Sequence, residues 1–211
     1  MHPSSGLCSL TTTPAKKSKG FESLANTPYT QLRLIAFSQP SKIGLKKTPE
    51  IIEIPLGGSK EDQLATAQSL LGKEIPVTDV FKDGEYLDVI AVSKGKGWQG
   101  VVKRFGVALN PHKATAHRRK GGSLGAETQA RIFFTIPRPG QMGYHRRTDS
   151  NKRILKISTD KLPALKHYGN VTGTYLIVDG SIPGPVKRLV RLRRAIDKQA
   201  PKKPNLIAIQ A

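Results

Sequence analysis

The chain has 211 residues, and its 35 Lys and Arg against 15 Asp and Glu give a formal net charge of +20, with 37% hydrophobic residues and a single cysteine, Cys8. A surplus of that size opposes its own compact fold and calls for a polyanionic partner, nucleic acid first, with membrane surfaces and acidic proteins behind it. An internal disulfide framework is excluded, as is an apolar run of about 18 residues that could cross a membrane; the N-terminus reads as a poor signal peptide, and a reducing, cytoplasmic setting is expected.

In chain order, residues 1–29 are rich in Ser, Thr, Pro, Lys and Gly and read as a flexible arm. "QLRLIAFSQP" (31–40) and "EIIEIPLGG" (50–58) read as strands. In "SKEDQLATAQSLLGKEI", Ser59 is placed to cap a helix with Asp62 three residues on. Leu64, Ala67, Leu70 and Leu71 recur at helical spacing, and Gly72 stops the run. Further strands are expected at 76–81, 85–93, 130–136, 154–158 and 174–183, with "KDGE" (82–85) a hairpin signal. Many short strands with little helix between them predict a mainly β fold, a barrel or sandwich.

Residues 94–129 break this pattern, being long, Gly-rich and basic with few apolar residues. From 94 to 156 there are 15 Lys and Arg and only two acids, Glu127 and Asp149. A second basic block, 187–204, has eight Lys and Arg, opening on Lys187 and Arg188, and one Asp. Gly95-Lys96-Gly97-Trp98-Gln99-Gly100 has the spacing of a dinucleotide-binding fingerprint, and a strand precedes it. The β-branched segment after it, broken at Gly106 and Pro111, is a poor helix, and no acid follows about 20 residues on to hold a ribose. Kinase motifs and a Walker lysine are also missing. The stretch reads instead as glycine-permitted backbone approach to RNA. Lys94, Lys96, Lys103 and Arg104 supply charge, and Trp98 and Phe105 supply flat surface.

The segments "VIAVSKGKGWQGVVKRFGV", "HRRKGGSLGA", "IPRPGQMGYHRRTDSNKRILKI" and "VDGSIPGPVKRLVRLRRAI" resemble the ribosomal large-subunit protein three family in its archaeal-type form, over about residues 30–196. The resemblance implies a translation-protein-type β-barrel core, 30–93 and 154–196, with a short helical insertion near 60–71. It implies a long basic non-globular extension, 94–153, that penetrates large-subunit rRNA toward the peptidyl-transferase region, and a tail, 197–211. The implied partners are that rRNA and neighbouring ribosomal proteins, with no membrane, no small-molecule substrate, no cofactor and no catalysis. Gln141 occupies the place of a glutamine that is methylated in bacterial members. Two departures stand out. Archaeal-type members carry a long basic section with early barrel strands before the part matching residue 30, so an incomplete barrel, in a fragment or a reduced form, is expected. At the extension tip, Gly125-Ala126-Glu127-Thr128-Gln129 puts an acid where relatives have an aromatic.

Individual rRNA-binding roles follow from residue chemistry. Arg118, Arg119 and Lys120, between His117 and Gly121-Gly122, are candidate phosphate ligands, as are Lys113 and Arg131. Arg138, Arg146, Arg147, Lys152 and Arg153 lie on the returning arm. Tyr144 and His145 offer planar faces for bases, with barrel packing the alternative for Tyr144. Pro137 and Pro139 stiffen that arm, and Gly140 and Gly143 let the backbone around Gln141-Met142 lie close to RNA. His112 and His117, five apart with no cysteine nearby, do not form a metal pattern. An RNA-processing enzyme and an RNA chaperone outside the ribosome remain the competing classes.

Overall fold

A computed structural model describes residues 29–114, 117–126, 130–160, 162, 164–165, 168–171, 173–197 and 200–202. The expected N-terminal arm up to residue 28, most of the tail and Glu127 lie outside them. The fold is mainly β: β1 (Arg33–Phe37), β2 (Ile51–Pro55), β3 (Tyr86–Val92), β4 (Trp98–Gln99), β5 (Gly140–Gln141), β6 (Arg146–Ser158), β7 (Tyr175–Val178) and β8 (Val190–Arg194). Among the described residues three α-helices, α1 (Lys60–Leu70), α2 (Val77–Val80) and α3 (Val101–Phe105), and a 3-10 turn at Pro40–Ile43 join them. Strand order along the main ladder is β7-β6-β3-β8, and β1-β2 and β4-β5 form two-stranded sheets. No closed barrel forms among the described residues. The chain divides into two compact units, and β6 runs through both.

The first unit comprises the described residues within 29–85, 153–179 and 200–202. Here β1 and β2 pair antiparallel, Phe37 opposite Ile51 and Arg33 opposite Pro55. Helix α1 starts where the sequence places it, because Ser59 and Asp62 form a reciprocal capping box. The Ser59 hydroxyl, and after it the Ser59 N–H, hold the Asp62 carboxyl below its ordinary range. This cap is therefore complete at neutral pH and is lost as pH falls through the lowered value. Gln63 and Ala67 carry the buried side of α1, and the Gln63 amide oxygen accepts from the Leu32 N–H at 3.2 Å. Leu32, Ala67, Phe81 and Ile154 form this unit's core. The second half of β6 pairs with β7, with an irregularity between Ile154 and Lys156.

The second unit comprises the described residues within 86–152 and 180–197. Strand β3 buries Leu87, Asp88, Val89 and Ala91, and Val101 of α3 is also buried. Asp88 is the chemically costly member, 2% exposed and directly opposite Arg193 of β8. Its Oδ2 accepts a hydrogen bond from Arg193 Nε at 3.0 Å and is ion-paired with Nη2 of the same guanidinium at 3.0 Å, and its Oδ1 accepts from the Asn151 N–H at 3.1 Å. Asn151 sits on β6 with φ 57°, so this carboxylate also fixes a left-handed kink in that strand. Replacing Asp88 with Ala strands a guanidinium and a backbone N–H together. We expect Asp88→Ala to cost about 3 kcal/mol, the low end for a broken buried pair because Arg193 is half exposed. Urea denaturation of the two proteins reads the difference, and equal midpoints would contradict it.

Several expected elements are corrected. The stretch 76–81 holds the single-turn helix α2 (Val77–Val80), not a strand: Pro76 sets the entry, and the Phe81 N–H bonds Val77 O at 2.9 Å. "KDGE" is a turn, with Glu85 N–H to Lys82 O at 3.2 Å, but with no strand before it there is no hairpin. Residues 130–136 are not a strand either. Ala130 has φ 52°, the Ile136 N–H turns back to Phe133 O, Pro137 and Pro139 flank the run, and Phe134 is 97% exposed. Strand β6 starts at Arg146, earlier than the expected 154, and β8 lies inside the basic block that carried no strand expectation. A short helix, α3, does follow the glycine-rich stretch, and Gly106 ends it at φ 69°.

Candidate nucleic-acid interface

The glycine-rich stretch and the Gly140–Gly143 stretch are partners. Strands β4 and β5 pair Trp98 with Gln141 and Gln99 with Gly140. The ribbon continues toward β3 and β6: Met142 N–H to Gly97 O, Lys96 N–H to Met142 O and Ser93 N–H to His145 O are all 2.9 Å. Glycine is required at Gly143, where φ is 72° and an added Cβ would lie 2.1 Å from Lys94 O. Gly140 faces a cation instead. Its missing side chain leaves room for Arg104, whose Nη1 donates to Arg138 O at 2.8 Å.

A cleft of about 500 Å³ opens on this ribbon, lined by Ser93, Lys94, Lys96, Arg104, Phe105, Gln141, Met142, Gly143, His145 and Arg147. Six expected site residues therefore meet there: Lys94, Lys96, Arg104, Gln141, His145 and Arg147. Its four Lys and Arg form no ion pair with any described acid. No carboxylate lines the cleft, so its field is uniformly positive and suits an anion. The Gln141 amide nitrogen donates to Met142 O and Gly143 O, both at 3.3 Å, which orients the side chain. Phe105 supplies an apolar aromatic wall, 54% exposed, with the Arg104 guanidinium 5.0 Å from its ring centre.

Other expected residues lie elsewhere. Trp98 is 74% exposed on β4, and Lys103 is exposed on α3. Lys113, His117, Arg118, Arg119, Lys120, Arg131 and Arg138 are exposed on the long segment between α3 and β5, and Arg146 is exposed at the start of β6. Lys152 stands 3.7 Å from Asp149, and Arg153 pairs with Asp179 at 3.0 Å. Arg188 is bound to Val92 O and Ser93 O, and its guanidinium lies 5.4 Å from the Tyr144 ring centre. Lys187, beside it, is exposed. Sequence reasoning missed Ser93, which closes the ribbon by accepting from the His145 N–H at 3.2 Å. No spacing signal links a serine to a histidine 52 positions away.

The geometry thus defines a β-ladder protein presenting an open cationic face. A family model for ribosomal protein L3 matches residues 16–206, and the chain belongs to that family. Among its relatives are proteins named large ribosomal subunit protein uL3. That of Nanoarchaeum equitans is 53% identical over 169 residues, 79% of this chain and 53% of the relative. That of Pyrobaculum arsenaticum is 48% identical over 77% of this chain and 51% of the relative, and that of Methanothrix thermoacetophila 45% identical over 85% and 57%. The chain spans about half the length of the curated relatives it matches.

Proposed function

We propose that the chain is a structural, rRNA-binding component of the large ribosomal subunit in the cytoplasm, working by binding and shaping RNA, with no catalysis of its own. Its partners are large-subunit rRNA and neighbouring ribosomal proteins. The observation that carries this reading is the convergence of Lys94, Lys96, Arg104 and Arg147 on one acid-free cleft, in a chain whose relatives are named as large-subunit proteins. Such a face is electrostatically unfinished alone and is completed by phosphates. In this reading residues 94–153 are the RNA-penetrating extension toward the peptidyl-transferase region, and the main ladder is an arc of the family's barrel. The exposure of Phe133, Phe134 and Leu124 supports it, because the segment gains little from burial against its own chain.

An enzymatic reading has no comparable support: Asp149 is engaged by Lys152, and no carboxylate enters the cleft. The test is a titration of the full chain with large-subunit rRNA at increasing salt. The expected result is tight binding that weakens linearly in log–log form, with a slope of several. Salt-insensitive binding, or none, would overturn the proposal.

A further inference from the structure

Four described non-glycine residues have positive φ: Ala130, Tyr144, Asn151 and Lys187. Asn tolerates that region, and the Asn151 kink is held by Asp88. Tyr144 and Lys187 have no such excuse, and they adjoin a single feature. Tyr144, at φ 58°, supplies a ring, and Lys187, at φ 69°, immediately precedes the Arg188 that covers one face of it at 5.4 Å. Arg188 is itself fixed by Val92 O at 3.1 Å and Ser93 O at 3.0 Å.

A bulky aromatic held left-handed is a backbone cost. Burial does not offset it here, since Tyr144 is 66% exposed. The fold therefore keeps an exposed ring in a disfavoured conformation, backs it with an immobilised cation and leaves the remaining ring surface to solvent. That is a pre-organised stacking surface, aromatic and sequence-tolerant, with positive charge behind it. We infer that Tyr144, positioned by Arg188, is a stacking platform for one unpaired RNA base. The inference rests on the proposed RNA-binding function and adds the form of RNA recognised: a base in a paired helix offers its face to its neighbours and has none for Tyr144.

The strain supplies a clean test. Gly accepts φ near +60° freely, so Tyr144→Gly removes the ring while relieving the backbone. The probes are a single-stranded RNA oligonucleotide carrying 2-aminopurine and its duplex, added to the full chain. Wild type is expected to quench the single strand's fluorescence and not the duplex's. Tyr144→Phe should keep the quenching. Tyr144→Gly should abolish it and weaken single-strand binding by about tenfold, with an unchanged or raised melting temperature. Retained quenching in Tyr144→Gly, or a melting temperature lowered by several degrees, would overturn the platform while leaving RNA binding intact. Failure of the wild-type chain to bind either RNA would overturn the proposed function, and the platform with it.

Discussion

Gly143→Ala is expected to break the ribbon that carries the cationic cleft. The new methyl would stand 2.1 Å from Lys94 O and 3.1 Å from Lys94 C, an overlap with backbone that no side-chain rotation relieves. The left-handed φ of 72° adds its own penalty of about 1 kcal/mol for a residue with a Cβ. Relief requires the strands to part, which gives up the Lys96–Met142 and Met142–Gly97 backbone bonds at about 1 kcal/mol each. The sum is about 3 kcal/mol, a large share of a small domain's stability. Denaturant unfolding and hydrogen exchange at the Lys96 and Met142 amides read it out together. Gly100→Ala is the control: its φ is −71°, and nothing lies within 4 Å of an added Cβ, so it should change little. Equal behaviour of the two variants would show that the ribbon is not held as described.

The second large effect is electrostatic. Lys94→Gln, Lys96→Gln and Arg147→Gln combined remove three cleft cations whose side chains hold no described acid. The fold should survive, because these residues are exposed. The slope of log affinity against log salt should fall by about two to three, close to one per lost phosphate contact. Affinity near physiological salt should drop by about a hundredfold or more. A matched triple substitution at Lys42, Lys46 and Lys82 removes the same charge from the other unit. If both triples change the slope equally, net charge and not the cleft governs binding.

Local chemistry was readable in the chain; pairing across it was not. The capping box of α1 is a four-residue matter, and Ser59 and Asp62 state it outright. Strands β1, β2, β3 and β7 follow from β-branched and apolar runs between turn residues. Residues 130–136 have the same apolar content and stay irregular, because a strand also needs a partner edge and prolines flank this one. Strand β8 shows the converse. Val190 and Leu192 alternate as a strand should, but the five cations of 187–194 dominate the reading, and the buried Asp88 opposite Arg193 is 105 positions away. The site divides likewise. Composition marked Lys94, Lys96, Arg104, Gln141, His145 and Arg147 as candidates, and only the ribbon shows that they line one cleft. The left-handed Tyr144 carries no mark in a sequence, since nothing about a tyrosine announces its φ.

The most direct measurement of whether this face meets RNA is crosslinking inside assembled particles. A photoreactive group at Lys96, on the cleft rim, would be activated in large subunits that have incorporated the chain. Crosslinks from that position to large-subunit rRNA are expected, with a matched probe at Lys42 in the other unit giving far fewer. Crosslinks from the cleft to protein alone, with RNA untouched, would contradict it.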